Sequence, residues 1–74
     1  MVLESNTKYQ ANVRLSFIES LATNQMIAEK FKAVGFKDVQ VSGNGVERKA
    51  TGVWAGKTEE VKTIPQQVTN IVKV

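Results

Sequence analysis

The residues of this chain that come closest to a chemical motif lie in the run ATGVWAGKT, from Ala50 to Thr58. The run ends in Gly-Lys-Thr, the three residues that close a phosphate-binding loop of the form G-x-x-x-x-G-K-[ST]. Thr51, however, occupies the position of the first glycine, and Gly52 stands one residue too close to the end. Such a loop also needs a larger parallel sheet than this short chain can build. We therefore interpret the run as the end of a strand and the turn after it.

Other catalytic and metal-binding patterns lack their usual residues. The sequence contains no histidine and no cysteine, and none of its serines lies in a G-x-S-x-G motif. Glu59 and Glu60 are adjacent, so their side chains diverge on a helix or strand and cannot act as an acid–base pair. We interpret this pair as the start of a helix, where the helix dipole favours carboxylates. The sequence therefore predicts a non-enzymatic protein without a cofactor or a conventional metal site.

The size of the chain predicts one small domain with a thin core. A chain of 74 residues buries roughly 60% of its unfolded surface, so such domains often depend on disulfides, metals or partners. The lack of cysteine rules out disulfides, which leaves idealised packing or oligomerisation as the source of extra stability. The net charge of +3 is compatible with an acidic partner but lacks the dense basic stripe of dedicated nucleic-acid binders.

The sequence contains no evident targeting or membrane segment. Residues 1–9 lack the apolar core of a signal peptide, and no run is long enough to cross a bilayer. We therefore expect no membrane insertion and, by default, a cytoplasmic location. Residues 1–7 show no periodicity, and we interpret them as a flexible arm before a single domain over residues 8–74.

Two local patterns predict a strand followed by a helix. Over residues 9–17, apolar and polar side chains alternate as in a half-buried strand. The next apolar residues recur at helical spacing: Ile27, Ala28, Phe31 and Val34. Thr23 or Ser20 can cap the start of this helix. Gly35 marks its end, and Phe36 can fold back over the last turn.

A hairpin follows the helix. Two alternating valines mark the second strand: Val39 and Val41. Asn44-Gly45 is a strong hairpin signal, because both residues accept the positive φ angles of a type I′ turn. The third strand covers residues 46–55, and a bulge is expected where Arg48 and Gly52 interrupt its apolar face.

The C-terminal part predicts a short helix and a last strand. Apolar residues again recur at helical spacing: Val61, Ile64, Val68 and Ile71. Pro65 opposes one continuous helix but is tolerated in a first turn, which predicts a helix over residues 64–70 and a strand over residues 71–74. Residues 58–62 form either a separate turn or an extension of the third strand.

These elements predict an α+β domain with an antiparallel sheet and helices on one face. A right-handed crossover joins the first two strands, and the hairpin places the third strand between them. Adding the C-terminal helix and strand gives a ferredoxin-like βαββαβ fold. The alternative is an incomplete βαββ arrangement with a short C-terminal helix.

The polar face of the predicted sheet is the main candidate surface. It collects polar side chains from three strands: Asn12, Arg14, Ser16, Gln40, Ser42, Lys49 and Thr51. It can serve as a ligand platform, as a self-association surface or as an ordinary solvated face. The face has no aromatic residues, so RNA binding by base stacking is weakly supported. Trp54, near Arg48, can contact a base or sugar, but a single tryptophan in so small a chain is more often a core anchor.

Short motifs of the chain resemble the SPOR (sporulation-related repeat) domain of bacterial cell-division proteins. The motifs are Leu15-Ser16-Phe17, Ala33-Val34-Gly35-Phe36, Arg48, Gly52-Val53-Trp54-Ala55 and Glu59-Glu60. The resemblance covers roughly residues 13–61 and rests on short motifs. It implies a βαββαβ fold whose sheet face binds peptidoglycan glycan strands that lack stem peptides.

The sequence thus predicts a binding or assembly module that acts through its sheet face or an exposed edge strand. Self-association or a protein partner is the leading expectation, as in a phage or mobile-element accessory or structural protein. SPOR-like glycan binding is the alternative, and weak nucleic-acid binding is the third. Binding that weakens with salt would favour nucleic acid.

Overall fold

A computed structural model of the chain describes residues 2–60 and 67–74. Its elements, in chain order, are β1 (Val2–Leu3), β2 (Lys8–Arg14), a 3₁₀ turn (Glu19–Leu21), α1 (Asn24–Val34), β3 (Phe36–Asn44), β4 (Glu47–Trp54), β5 (Glu59–Glu60) and β6 (Val68–Lys73). Four strands form an antiparallel sheet, and β1 pairs with β5 in a second, two-stranded sheet. The predicted α+β class is therefore confirmed.

The four-stranded sheet has the order β3-β4-β2-β6, and every neighbouring pair is antiparallel. The third long strand, β4, lies between β2 and β3, as the right-handed crossover predicted. The ferredoxin-like form also requires a second helix before β6. Residues 64–66 of that predicted helix lie outside the described residues, so the ferredoxin-like form stays a prediction.

The prediction of helix is wrong for residues 68–70, which belong to β6. Val68 pairs with Val13, and Thr69 pairs with Asn12. The register shifts by one residue at Asn70, whose φ of 52° is left-handed. This bulge turns residues three apart to the same face of the sheet, which produces in a strand the spacing that normally indicates a helix.

Helix α1 forms where the local signals placed it. Thr23 caps its start, since its side chain accepts a hydrogen bond of 3.1 Å from the backbone N–H of Met26. Gly35 ends the helix with a φ of 132°, a conformation that favours glycine. The Phe36 ring then meets Phe31 edge-on, with ring centroids 5.9 Å apart. Both caps and the aromatic return are confirmed.

The hairpin between β3 and β4 turns one residue later than predicted. Asn44 pairs with Glu47, which leaves Gly45 and Val46 as the two turn residues. Of these two, only Gly45 has a positive φ, 68°. A type II′ turn needs a positive φ at its first central residue alone, whereas type I′ needs two. The predicted type I′ turn at Asn44-Gly45 is therefore wrong, although the hairpin itself is confirmed.

The bulge expected on the third long strand lies on its partner strand instead. The pairing of β3 with β4 shifts between Lys37 and Gln40, where Asp38 adopts a φ of 52°. Gly52 lies opposite this shift, and a Cβ there would meet Phe36 and Val39 at 3.3 Å. Aspartate tolerates left-handed backbone, so the extra residue is accommodated on β3 and β4 stays regular.

Strand β2 ends at Arg14, three residues before the predicted end. Leu15 donates its N–H to the carbonyl of Val46 over 2.7 Å, and the chain then turns into the 3₁₀ segment. Phe17 consequently leaves the inner face, where the alternation had placed it, and is 88% exposed.

The N-terminal residues interpreted as a flexible arm pack against the domain in the structure. Leu3 is buried at 2% exposure, and the N–H of Asn6 donates to the carbonyl of Trp54 over 2.8 Å. The β1–β5 pairing sets Leu3 opposite Glu59, so Glu59–Glu60 form a strand. The interpretation of these glutamates as a helix start is wrong, because pairing with β1 gives this segment its hydrogen bonds.

The core is best filled at one end of the sheet, which we call the packed end. Leu3, Tyr9 and Trp54 form its centre, and Phe36 and Ile71 pack against them. The Trp54 ring lies between two glycines: a Cβ at Gly35 or at Gly56 would come within 2.9 Å of it. Since that distance is shorter than real Cβ contacts, the ring can occupy this site only because both positions lack a side chain.

Candidate functional surfaces

The polar sheet face brings most of the predicted site residues together. Residues paired directly across neighbouring strands share a face of the sheet. One row joins Gln40, Thr51 and Gln10; the next joins Ser42, Lys49, Asn12 and Thr69; a third joins Asn44, Glu47 and Arg14. The face thus carries Asn12, Arg14, Gln40, Lys49 and Thr51, but not Ser16.

A shallow depression of about 440 Å³ lies in this face. Apart from the buried Arg48, its polar lining residues are Asn12, Arg14, Ser42, Glu47, Lys49, Thr69 and Asn70. Amides, hydroxyls, two cations and one carboxylate can hydrogen-bond a polar ligand there. Among the described residues, the aromatic rings of Tyr9, Phe36 and Trp54 lie in the core on the opposite face. The depression therefore offers hydrogen bonds rather than stacking.

Ser16 shapes the loop after β2 instead of joining the polar face. Its N–H donates to the Glu19 carboxylate over 2.9 Å, and the N–H of Glu19 donates to the Ser16 hydroxyl over 3.2 Å. Gln67 also donates to Glu19, over 2.8 Å. The hydrogen bond from the Ser16 backbone, and then the one from Gln67, lower the pKa of Glu19 below its usual 4.5.

Arg48 and Trp54, named as possible ligand contacts, are both buried. Arg48 is 7% exposed, and its guanidinium donates to Gly45, Asn24 and Ser20 over 3.1, 2.7 and 3.0 Å. It ties the hairpin turn to the start of α1 and to the 3₁₀ turn. Trp54 is 3% exposed and donates to the Lys57 carbonyl over 2.8 Å, which confirms it as a core anchor.

The helix-covered side of the sheet holds an apolar groove that the sequence analysis missed. Helix α1 packs mainly against β3, so among the described residues it leaves the sheet beside β2 and β6 open. The resulting groove has a volume of about 540 Å³. Its lining includes Leu15, Ala22, Met26, Phe31, Val68 and Ile71. Most of its lining side chains are apolar; Thr51 and Gln67 are polar, and the two charged ones, Glu19 and Lys30, have opposite signs.

Three large apolar side chains are exposed in the turn that contributes Glu19 to the lining of this groove. Phe17, Ile18 and Leu21 are 88%, 80% and 85% exposed, and we call residues 17–21 the apolar turn. Glu19, inside the turn, lines the groove, and its carboxylate fixes the turn through Ser16 and Gln67. The sequence signal was present in Phe-Ile-Glu-Ser-Leu, three bulky apolar residues within five positions. Period-two alternation hid it, because it assigned Phe17 to the core.

Neither a metal-ligand cluster nor a membrane-spanning helix is found in the described part of the chain. In residues 2–60 and 67–74, no three acidic, histidine or cysteine side chains gather as a metal site would require. No helix in this part of the chain is long and apolar enough to cross a membrane. Comparison with models of known families, with curated proteins and with solved structures finds no match for the chain. The SPOR resemblance accordingly stays a hypothesis.

Proposed function

We propose that this protein is a non-enzymatic assembly module that binds a protein partner in its apolar groove. The observation that supports this function is that the exposed side chains of the apolar turn alternate along the chain with residues that line the groove. Contiguous apolar surface of this kind on a small protein marks an interaction site, because its exposure to water is unfavourable. A small ligand could fill the groove but would leave the apolar turn exposed. A protein partner covers both.

The sheet edges are less suited to assembly than the sequence analysis expected. The two edge strands, β3 and β6, each carry a bulge with a left-handed residue, Asp38 and Asn70. Bulges twist an edge away from regular pairing and are a common protection against strand addition. The groove is therefore the better candidate for a protein interface.

Selection of peptides from a random display library tests the proposal without a known partner. We expect the selected peptides to be apolar and to shift the NMR signals of Ala22, Met26 and Val68 rather than those of the polar face. Met26→Glu places a charge at the groove and should abolish binding. Ser42→Glu places the same charge on the opposite face of the sheet and should leave binding intact. Peptides that map to the polar face, or that bind both variants equally, would contradict the proposal.

A second candidate, SPOR-like glycan binding, is supported by the polar depression. Amide and hydroxyl side chains of Asn12, Ser42 and Thr69 share one row with Lys49, and such groups hydrogen-bond sugar hydroxyls. Sedimentation with denuded peptidoglycan should carry the protein down at both low and high salt. Arg14→Glu should then reduce the bound fraction without changing the melting temperature. Sedimentation lost in high salt would indicate ionic binding instead.

A further inference from the structure

We infer that Asn44 is a site of spontaneous deamidation, and that the rate of this reaction is controlled by a clamp on the β3–β4 hairpin turn. The clamp consists of two residues, Asn24 and Arg48. The inference is independent of the apolar groove. Three observations support it: the residue that follows Asn44, the exposure of the turn, and the hydrogen bonds on either side of the reacting peptide group.

Asn44 is followed by Gly45, the neighbour that most readily allows an asparagine to deamidate without an enzyme. The backbone nitrogen of Gly45 attacks the side-chain amide carbon of Asn44, and a new carbon–nitrogen bond closes a five-membered succinimide ring. The bond from that carbon to Nδ2 breaks, and Nδ2 leaves as ammonia with the proton that the backbone nitrogen gives up through solvent. Water then opens the ring at either carbonyl, which leaves aspartate or isoaspartate. Water is thus the only co-reactant.

Asn44 is the only asparagine of the sequence that a glycine follows. The other four are each followed by a residue with a side chain: Asn6, Asn12, Asn24 and Asn70. Such a side chain obstructs the approach of the backbone nitrogen, whereas glycine has no Cβ. Asn44 and Gly45 are both exposed, and a Cβ at Gly45 would meet nothing within 4 Å. Water and base can therefore reach the reacting atoms.

Ring closure requires the turn to open. The succinimide ring contains the bond between Cα and the carbonyl carbon of Asn44, and it holds the ψ angle far from the extended value of a strand. Asn44 is the last residue of β3 and pairs with Glu47 across the turn, so the folded hairpin keeps this bond extended. The reaction therefore proceeds from molecules whose turn has opened, and its rate follows their fraction.

The clamp holds the peptide groups on both sides of the reacting one. Asn24 donates through Nδ2 to the carbonyl of Gly43 over 3.1 Å, and Arg48 donates through Nε to the carbonyl of Gly45 over 3.1 Å. The two clamp residues also bind each other, since Arg48 Nη1 donates to Asn24 Oδ1 over 2.7 Å. Because Arg48 is buried, the clamp is anchored in the interior and resists rotation of the turn.

Deamidation changes both the charge and the geometry of the turn. Asn44 shares a row of the polar face with Glu47 and Arg14. The new carboxylate therefore lies directly opposite another one, which is unfavourable across a strand pair. In isoaspartate the main chain also runs through Cβ, which lengthens a hairpin whose register depends on its turn. Both products should weaken the turn and place a negative charge beside the polar depression, which Gly43 and Glu47 line.

Incubation of the folded protein at neutral pH, followed by peptide mass spectrometry, tests the inference. We expect conversion at Asn44 and none at the other four asparagines of the same molecules. Conversion should be roughly tenfold slower than in urea, where the turn is open. Asn24→Ala removes the bond to Gly43 and one acceptor of Arg48, so it should raise the native rate roughly fivefold, the factor that one hydrogen bond contributes. In urea this variant should react at the wild-type rate.

Two controls separate the clamp from other effects. Lys49→Gln, on the same hairpin but outside the clamp, should leave the native rate unchanged. Asn44→Gln should stop the reaction, because glutamine would have to close a larger ring. Arg48→Met should act like Asn24→Ala, but it alters a buried side chain, so Asn24→Ala is the decisive variant. Equal rates in folded and urea-unfolded wild type, an unchanged native rate in Asn24→Ala, or equally fast conversion at another asparagine would each overturn the inference.

Discussion

The packed end of the sheet and the apolar turn differ in how well their large apolar side chains are covered. At the packed end, Trp54 is sandwiched by two glycines and surrounded by Leu3, Tyr9 and Phe36, with the Phe36 and Trp54 ring centroids 5.1 Å apart. In the apolar turn, by contrast, Phe17, Ile18 and Leu21 are exposed to solvent. The tightest packing therefore surrounds Trp54, next to the end of α1, whereas the turn that precedes α1 leaves three large apolar side chains exposed.

This difference separates the part of the fold that holds the domain together from the part available for binding. Apolar side chains stabilise a domain by the surface they remove from water, so the packed end should determine its stability. The exposed side chains of the apolar turn contribute little to the monomer. They remain available to a partner, and changes there should affect association before folding.

The largest expected effect is the difference in stability between truncating Trp54 in the packed end and truncating Phe17 in the apolar turn. Trp54→Ala should lower the free energy of unfolding by about 3–5 kcal/mol, as for other buried aromatic residues, which is enough to unfold a marginal domain. Phe17→Ala should change monomer stability by less than about 0.5 kcal/mol, because the ring is exposed. Urea unfolding, followed by circular dichroism at a concentration where the protein is monomeric, measures both. Equal losses of unfolding free energy in the two variants would show that the packed end and the apolar turn contribute equally to stability.

A smaller effect is the difference in stability between placing an alanine at Gly35, beside Trp54, and placing one at Gly45, in an open turn. Gly35 and Gly45 both have positive φ, but an added Cβ meets Trp54 at 2.9 Å at Gly35 and nothing within 4 Å at Gly45. Gly45→Ala should therefore cost only the left-handed backbone, about 1–2 kcal/mol. Gly35→Ala should cost about 1–3 kcal/mol more, because the ring must shift and because a φ of 132° lies outside the left-handed well that Gly45 occupies.

Thermal melts of the two alanine variants give this difference directly. Gly45→Asn serves as the control, because asparagine tolerates a left-handed φ and should recover most of the loss at that turn. If Gly35→Ala and Gly45→Ala melt together, the close packing of Trp54 would not be what distinguishes the packed end.

The smallest expected effect concerns the anchor of the apolar turn. The pKa of Glu19 is lowered in the folded state by the Ser16 and Gln67 hydrogen bonds, so its carboxylate stabilises the fold above pH 4.5 and loses this effect as the pH falls below it. From about pH 6 to about pH 3, the melting temperature of the wild type should fall more than that of Glu19→Gln. Parallel curves would show that Glu19 does not link the turn to Gln67.

The elements that could be predicted from sequence depend on neighbours along the chain. The Thr23 cap, the Gly35 stop and the polar face of β2 and β4 each follow from side chains a few residues apart. The pairing of Val2 with Glu60 could not be predicted, because nothing near either residue signals a partner 58 positions away. The bulge at Asn70 gave β6 a helix-like spacing.

The apolar groove escaped prediction for a different physical reason. Its existence depends on where α1 lies over the sheet and on β2 ending at Arg14, and both are set by tertiary contacts such as the hydrogen bond from Leu15 to Val46. Alternation correctly identified which side of the strand is apolar. It could not show that part of that side stays uncovered by the described residues.

The strand order also determines the sequence of events in folding. In the four-stranded sheet, a two-residue turn joins β3 to β4, whereas β2 pairs with β4 and with β6, which are distant along the chain. Non-local pairing slows folding because loop closure precedes the contacts that reward it. We expect α1 and the β3–β4 hairpin to form the nucleus. The β2 strand then stays unpaired until β4 and β6 are in place on either side of it. While it is unpaired, its alternating apolar side chains are exposed and can aggregate during synthesis.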